Sequence, residues 1–506
     1  MHRFLLPGSC ILALLLTGGA FAQVEAKQAP KASLHQPTAD GATSDTTVRN
    51  PVIDPGTWSR CIEEGKRKSR VQEHLDILTN RIGPRLSGSD NLTTACEWAR
   101  RRFESFGMKR VRLEKWGEFP VGFNRGPYSG YVLVGSGDPD KSGAGKSLLR
   151  RTPLEFATNA WTPGTQGPQE GGVYILPKGL KAKDVPHLAD QISGRWVFGT
   201  RQSWRLSEAV LHLRRALAKA GALGYIAPSK NKYLYWFGDH RQNWNRLPRL
   251  PYITLDKGQY EALQKQIHEG QRVRLRFDIR NHFKKGPIPL YNVIAEIRGT
   301  EKPDEIVIVG GHIDSWDGAT GTTDNGTGAA TTLEAARILM AAGARPRRTI
   351  RFMLWSAEEQ GLLGSKAYVD KNRAELLAKV SAVFVHDGGT NFVAGIGGPD
   401  YVLPHLRTAF TGFETIDPEF PFEVHRTKGG MGGGSDHASF LRVGIPGFYW
   451  RQKGGVVYAH GWHTQFDTFD LAIPSFQRHS ATCIALGALA MANLDAMLPR
   501  WRKPSS

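Results

Sequence analysis

Two adjacent glutamates, Glu358 and Glu359, come directly after the apolar run from Thr349 to Trp355. Because that run is rich in β-branched and aromatic residues, we expect it to form a buried strand. Two carboxylates at the end of this strand repel each other, and burying them costs hydration free energy. A nearby positive group would have to offset both effects. A solvated first helical turn, where carboxylates suit the helix dipole, would explain the pair on its own. The pair therefore indicates a site only if other residues join it.

Further metal-ligand residue types lie near the ends of other predicted strands. In an open α/β sheet, ligands bind beyond the carboxyl ends of the strands. The residues at these positions are His312 and Asp314 in GGHIDSWD, Asp324 in GTTDNGTG, Asp387 after VSAVFVH, and His463 in GWHTQFDT. Each has a simpler explanation when taken alone, such as a helix cap for Asp324 or a turn for Asp387. Their recurrence at successive strand ends favours one shared site.

Three carboxylates and two imidazoles in one cleft require compensating cations. Burying Asp324, Glu359 and Asp387 together without partners would be costly. Two divalent ions bring four positive charges, and a set of nitrogen and oxygen ligands suits zinc, with cobalt or manganese as substitutes. A carboxylate that bridges two metals about 3.5–4 Å apart is typical of two-metal hydrolases. We therefore predict two zinc ions, with Glu359 facing a metal and Glu358 facing the cleft as general base.

The elements that position these residues are predicted from the apolar pattern. From Tyr291 onward, strands alternate with helices, which indicates an α/β fold with a mostly parallel mixed sheet sandwiched by helices. Residues 148–282 contain short strands and one helix, which is typical of a β-rich insertion. We therefore predict a catalytic domain in two parts, 51–147 and 283–506, on either side of an inserted domain at 148–282.

The chain starts with a predicted export signal. Residues 1–22 combine a basic start, an apolar run and the small-residue pattern Ala20-Phe21-Ala22. Residues 23–50 lack large apolar side chains, so we expect a disordered leader. We find no later stretch of about 18 uncharged apolar residues, and no membrane span is predicted. The mature protein is expected to be soluble and either periplasmic or secreted.

Charge and cysteine content exclude several classes of function. The net charge is +19, but the basic residues occur in short scattered groups, so we predict a basic solvated surface and no nucleic-acid partner. Once the signal is removed, Cys61, Cys96 and Cys483 remain, which allows one disulfide of open pairing and one thiol. The sequence contains no CxxC motif and no HExxH motif, which argues against a cysteine zinc site and a single-zinc endopeptidase of that type.

Several motifs together resemble the co-catalytic zinc exopeptidases, a group that includes secreted bacterial aminopeptidases and glutamate carboxypeptidases. The stretches GPRLSGSDN, GGHIDSWDGATGTTDNGTG and RPRRTIRFMLWSAEEQG are most similar to the plasma glutamate carboxypeptidase branch. The resemblance covers most of the mature chain. It implies that His312 and Asp387 hold one zinc, that Glu359 and His463 hold the other, and that Asp324 bridges them.

The resemblance also implies roles for residues around the metals. Glu358 would act as general acid and base, and Asp314 would orient the His312 ring, as Asp467 would orient His463. The residue that polarises the scissile carbonyl stays open among Tyr449, Tyr458 and His460. Asp436 and His437 in GSDHASF match a family stretch near the site, and we expect them to support ligands rather than bind metal.

The inserted region resembles a protease-associated domain in its GGVYILP, AKAGALGYIAPS and LPYITLDKGQYEAL stretches. In the family, this domain shapes or covers the cleft and carries no catalytic residue. The function expected is a secreted zinc aminopeptidase acting on short peptides. The alternatives are a dipeptidase or carboxypeptidase of the plasma glutamate carboxypeptidase type, an inert binding homologue, and a single-zinc glutaminyl cyclase. Peptide is the expected partner, and a homodimer is left open.

Overall fold

The computed structural model describes residues 53–134, 150–202, 207–427 and 433–500. The predicted signal peptide and leader therefore lie outside the described residues. Within those residues, none of the helices combines the length and apolarity needed to cross a bilayer.

Helices and strands alternate along most of the described chain. The helices are α1 (Pro55–Lys66), α2 (Val71–Asp76), α3 (Asp90–Ser105), α4 (Ala189–Ile192), α5 (Glu208–Lys219), α6 (Lys257–His268), α7 (Thr327–Ala341), α8 (Leu363–Lys379), α9 (Leu403–Ala409), α10 (His437–Leu441), α11 (Tyr458–Gly461) and α12 (Pro474–Asn493). The strands are β1 (Lys109–Val134), β2 (Arg150–Pro153), β3 (Phe156–Thr158), β4 (Gln169–Ile175), β5 (Trp196–Phe198), β6 (Gly224–Pro228), β7 (Tyr252–Leu255), β8 (Arg274–Ile297), β9 (Lys302–His312), β10 (Arg348–Trp355), β11 (Val380–Val385), β12 (Phe392–Gly398), β13 (Glu423–Arg426), β14 (Gly447–Tyr449) and β15 (Arg451–Lys453).

The main sheet has the strand order β14-β11-β9-β10-β8-β4-β5-β6-β7-β3. Strands β14, β11, β9 and β10 run parallel to one another, whereas β8 is antiparallel to β10. This arrangement confirms the mixed, mostly parallel sheet predicted for the region after Tyr291.

Helices cover both faces of the parallel part of this sheet. Along a strand, alternate side chains point to opposite faces. Val307 and Val309 of β9 pack in one core cluster with α7 and α12. Ile306 and Ile308 pack in another with α8. Because both faces are covered, β10 and β11 are buried along their whole length, which explains why most of their residues are apolar.

Two long strands connect the catalytic sheet to the β-rich insertion. β1 is 26 residues long and pairs antiparallel with the 24-residue β8 along most of its length. β8 contacts β10 at one end and β4 at the other, so it belongs to both regions. It therefore continues through residue 282, where the sequence pattern placed a domain boundary. The insertion has its own apolar clusters, which include Trp196, Phe277 and Tyr252.

The cysteines do not form the disulfide that the sequence allowed. Cys61, Cys96 and Cys483 are all free thiols, and each is buried. Cys61 lies in α1, Cys96 in α3 and Cys483 in α12, where each packs as a small apolar residue in the same core cluster. The sequence left one disulfide possible among these three residues, and the structure forms none of the three pairs.

Candidate metal centre

Three neighbouring parallel strands deliver candidate ligands to one edge of the sheet. β9 ends at His312, β10 ends shortly before Glu358, and β11 ends shortly before Asp387. β9 lies between β10 and β11, and Trp355 at the end of β10 is in register with His312. The side chains that follow these strands therefore leave the sheet at the same edge, as the strand pattern predicted.

The five proposed ligands form two adjoining groups that share one carboxylate. In the first group, His312 Nε2 lies 3.2 Å from Asp324 Oδ1 and 3.2 Å from Asp387 Oδ1. In the second, His463 Nε2 lies 3.1 Å from Asp324 Oδ2 and 2.9 Å from Glu359 Oε2. Within each group, the ligand atoms lie no more than 4.8 Å apart. Asp324 thus gives one oxygen to each group, as a bridging carboxylate must.

This geometry fits metal binding. Two ligand atoms on a tetrahedral zinc, with bonds of about 2.0–2.2 Å, lie roughly 3.3–3.6 Å apart. The observed separations of 2.9–3.2 Å are slightly shorter than that. The second oxygen of Glu359 is buried without a hydrogen-bond partner in the protein. A site of buried imidazoles and carboxylates with a spare carboxylate oxygen is one that divalent cations can occupy.

The carboxylates hold protons on both imidazoles in the absence of a metal. Burial works against a charged His463, but Glu359 and Asp324 outweigh it and raise the pKa of the imidazole to about 10. Burial likewise opposes a charge on His312, yet Asp387 and Glu358 raise its pKa well above the usual value. Burial raises the pKa of Glu359 to about 7. The site therefore needs positive charge, and a metal would replace these protons.

Glu358 occupies a different position from its neighbour. Its Oε2 lies 4.0 Å from His312 Nε2, and its side chain is 13% exposed. Ala357, which precedes the pair, has a left-handed φ of 58° and is fully buried. This residue turns the chain after β10, and Glu359 then contacts His463 while Glu358 approaches His312. Burial, reinforced by Asp387 and Glu359, raises the pKa of Glu358 well above its usual value.

Asp314 connects three parts of the site. Its carboxylate oxygens accept the backbone N–H groups of Glu358 and Glu359, each at 3.3 Å, and Ser87 donates its hydroxyl at 3.0 Å. The His312 ring contacts Asp314 at its backbone carbonyl, 3.0 Å from Nδ1, more closely than at its carboxylate, 3.5 Å away. Asp314 therefore fixes the loop that carries both glutamates as well as the ring of His312.

Asp467 supports Asp324 rather than His463. Its carboxylate accepts the backbone N–H of Thr323, a very short hydrogen bond, and that of Asp324 at 3.3 Å. The expected contact with the His463 ring is not among the hydrogen bonds of Asp467, and that expectation was wrong. Burial raises the pKa of Asp467 to about 7. The sequence pattern missed this role because it depends on the backbone path just before α7.

Arg85 is a buried residue whose role the sequence analysis missed. Its side chain is fully buried between the loop after β9 and the segment before α7. The guanidinium donates to five backbone carbonyls, those of Leu78, Gly83, Ile313, Thr320 and Gly321. Burial lowers the pKa of Arg85 to about 10, although Asp467 and Asp314 act in the opposite direction. The only sequence signal was its place in the GPRLSGSDN motif.

The three candidates for polarising the substrate carbonyl occupy different places. The Tyr449 hydroxyl donates to the backbone carbonyl of Asp387 in a very short hydrogen bond, although its side chain is partly exposed. Burial raises the pKa of Tyr458 well above its usual value, and the charges of Asp324 and Asp387 add to that effect. The His460 ring stacks on Phe466 at 4.5 Å. Both tyrosines therefore interact with proposed ligands, Tyr449 through its hydrogen bond and Tyr458 through charge, whereas the His460 ring contacts Phe466.

The GSDHASF segment also reaches the site. Asp436 is fully buried, and burial raises its pKa to about 7, with Asp314 and Asp387 adding to the effect. Neither oxygen of Asp436 has a hydrogen-bond partner in the protein. The neighbouring His437 ring lies 5.6 Å from that of Tyr449. No hydrogen bond joins Asp436 to a proposed ligand within the described residues, so the supporting role of the segment stays a prediction.

Comparison with known proteins finds similarities to zinc exopeptidases. The profile of peptidase family M28 matches residues 292–487. Carboxypeptidase Q of Mus musculus is 26% identical to this chain, over 86% of the chain and 88% of that protein. A peptidase M28 precursor from Shewanella amazonensis shares the fold, with a TM-score of 0.62 and 24% identity over 89% of this chain and all of that one. BSAP, a zinc aminopeptidase from Bacillus subtilis, has a TM-score of 0.53 and 20% identity over 82% and 93% of the two chains. Residues 292–487 thus match peptidase family M28, and the similarities together support a zinc-dependent metallo-exopeptidase.

Proposed function

We propose that this exopeptidase removes residues from the free amino terminus of short peptides and uses two zinc ions per chain. His312 and Asp387 would hold one ion, Glu359 and His463 the other, and Asp324 would bridge them. The division of the two Asp324 oxygens between two histidines is the observation that carries this proposal. A site for a single ion would not need a carboxylate shared in this way.

The protein groups around the ions would supply orientation and proton transfer. Bound zinc would supply Lewis acidity, which polarises a carbonyl and makes water a better nucleophile near neutral pH. Glu358 is not needed as a ligand and lies beside the first group, so it can take a proton from water and return it to the leaving amine. Asp314 holds this glutamate in place through its backbone N–H.

The charge of the cleft supports recognition of a free amine. Asp387, Glu358 and Asp436 influence one another electrostatically, and the structure pairs none of them with a lysine or arginine among its described residues. The two ions would compensate the ligand carboxylates, including Asp387, which leaves Glu358 and Asp436 as acidic groups that are not used as ligands. A protonated α-amine would be attracted to these two groups, whereas a free α-carboxylate would be repelled by them.

A dipeptidase or carboxypeptidase activity is the second candidate. Its support is the match to Carboxypeptidase Q, which extends over 86% of this chain. Dipeptides present both termini to the site, so they fit both candidates. The two functions differ in whether a blocked amino terminus is tolerated.

A panel of small peptides would separate these functions. We expect zinc-loaded protein to hydrolyse free and C-blocked di- and tripeptides but not their N-acetylated counterparts. Hydrolysis of N-acetylated and free peptides, with C-amidated ones resistant, would replace the proposal by a carboxypeptidase. Cleavage of dipeptides alone would make the protein a dipeptidase. Bound zinc without hydrolysis of any peptide would indicate an inert binding homologue.

Export is part of the proposal. The signal pattern in residues 1–22 supports secretion or transport to the periplasm. The mature protein should then begin shortly after Ala22, which N-terminal sequencing of protein purified from outside the cytoplasm would test. An intact N-terminus at Met1 in that material would contradict cleavage at this point.

A further inference from the structure

The proposed ligand His463 lies in a less regular part of the structure than the other ligands. His312 ends a core strand, Glu359 and Asp387 follow core strands, and Asp324 precedes a buried helix. His463 instead lies in a loop after the short helix α11 and has a left-handed φ of 57°. That conformation is unfavourable for a residue with a side chain, and it persists only where the surroundings hold it.

A segment of the β-rich insertion holds this loop through the backbone. The segment, residues 233–238, is called here the aromatic arm. The N–H of Trp236 donates to the carbonyl of His463 at 2.9 Å, and the N–H of Leu234 donates to the side chain of Gln465 at 2.9 Å. Tyr235 forms an antiparallel bridge with Thr464. The arm thus contacts the ligand loop at three successive residues.

The other side of the arm is fixed to the insertion. Phe237 accepts a hydrogen bond from the N–H of Ala160 at 2.8 Å, and Gly238 forms a parallel bridge with Ala160. Trp236 is almost completely buried and lies directly against Gly318, where an added Cβ would overlap the indole ring. The arm therefore has little freedom to move independently of the insertion or of the loop after β9.

Aromatic rings restrict the imidazole itself. Phe237 of the arm lies edge-on to the His463 ring at 5.3 Å, and Trp316 lies edge-on at 5.9 Å. Trp462 stacks on the ring at 4.0 Å. These contacts limit rotation of the imidazole about its side-chain bonds, so Nε2 points at Asp324 and Glu359.

The arm acts on one of the two ligand groups. His312 contacts Asp314, Asp324, Glu358 and Asp387, all of which belong to the catalytic region. We infer that the aromatic arm is a positioning element for His463, so that the insertion sets the affinity of the Glu359–His463 metal site and leaves the His312–Asp387 site unaffected. This inference rests on the two-metal site proposed above.

Phe237→Ala tests the inference, with Trp244→Ala as matched control. Trp244 is an exposed aromatic residue of the same insertion, 37% accessible. Metal-free protein is titrated with zinc in a calorimeter. Supporting residues of this kind typically change metal affinity by about 10- to 100-fold. We expect one of two binding steps to weaken by at least about tenfold in Phe237→Ala, and neither step to change in Trp244→Ala.

A double-mutant cycle separates positioning from general destabilisation. In a His463→Ala background the remaining site should bind zinc with the same affinity whether residue 237 is phenylalanine or alanine, because the arm then has no ligand to orient. Equal weakening of both steps in the single variant, unchanged binding of both, or a further loss in the double variant would overturn the inference. Parent protein that binds fewer than two zinc ions would instead refute the two-metal proposal.

Discussion

Substitution of Asp314 by asparagine should slow catalysis without removing the metals. The carboxylate accepts two backbone N–H groups, that of Glu358 on Oδ1 and that of Glu359 on Oδ2. Asparagine has one acceptor oxygen, so in either orientation its NH2 group faces one of these two donors. One buried N–H then loses its acceptor, at a cost of about 1–3 kcal/mol.

The N–H group that loses its acceptor belongs either to Glu358, the proposed base, or to Glu359, a proposed ligand. Since about 1.36 kcal/mol corresponds to a tenfold change in rate, we expect kcat/KM to fall by about 5- to 150-fold. Hydrolysis of leucine 4-nitroanilide, followed by absorbance, gives kcat/KM, and elemental analysis gives the zinc content. Asp304→Asn is the control, because Asp304 is an exposed acid in β9, the strand that precedes Asp314.

Two outcomes would contradict the prediction for Asp314→Asn. Asp314→Asn with kcat/KM within about twofold of the parent, at full zinc content, would show that Asp314 does not position the glutamates. A similar loss in Asp304→Asn would show that the effect is a general consequence of the charge change.

Three further predictions concern the base, the protons and the buried arginine. Glu358→Gln should lower kcat by about 10²–10⁴-fold while zinc content stays at the parent level, and normal turnover would refute its role as base. The pKa of His463 is raised to about 10, and that of His312 also lies well above its usual value, so zinc must displace protons near pH 8. The affinity for zinc should therefore rise with pH up to about 10. Calorimetry in buffers of different ionisation enthalpy would contradict this prediction if zinc binding released no proton. Arg85→Lys should lower the melting temperature by several degrees, because the lysine ammonium has three donors whereas the guanidinium donates to five carbonyls. Each carbonyl left without a hydrogen bond costs about 1–3 kcal/mol. An unchanged melting curve would show that these hydrogen bonds are replaceable.

The sequence could predict the residues that follow strands. A strand such as β10 is recognisable from its own residues, and parallel strands deliver the residues at their ends to one edge of the sheet. These predictions depend on local sequence patterns and require no knowledge of contacts between distant segments.

The supporting contacts could not be predicted in this way, because they join distant parts of the chain. Arg85 donates to carbonyls more than 200 residues away, and a buried arginine has no local pattern that distinguishes it from an exposed one. Asp467 was assigned to the nearest histidine in sequence, but its partners are backbone groups at Thr323 and Asp324. The aromatic arm carried a visible signal, four aromatic residues within Tyr233–Phe237, yet only the fold shows what they contact.

In the proposed site, Asp324 joins two metal ions. Anomalous diffraction at the zinc edge, from crystals grown with excess zinc, tests it most directly. We predict two peaks about 3.5–4 Å apart, one beside His312 and Asp387 and one beside Glu359 and His463, with one Asp324 oxygen directed at each. A single peak, or two peaks of which only one contacts Asp324, would contradict it.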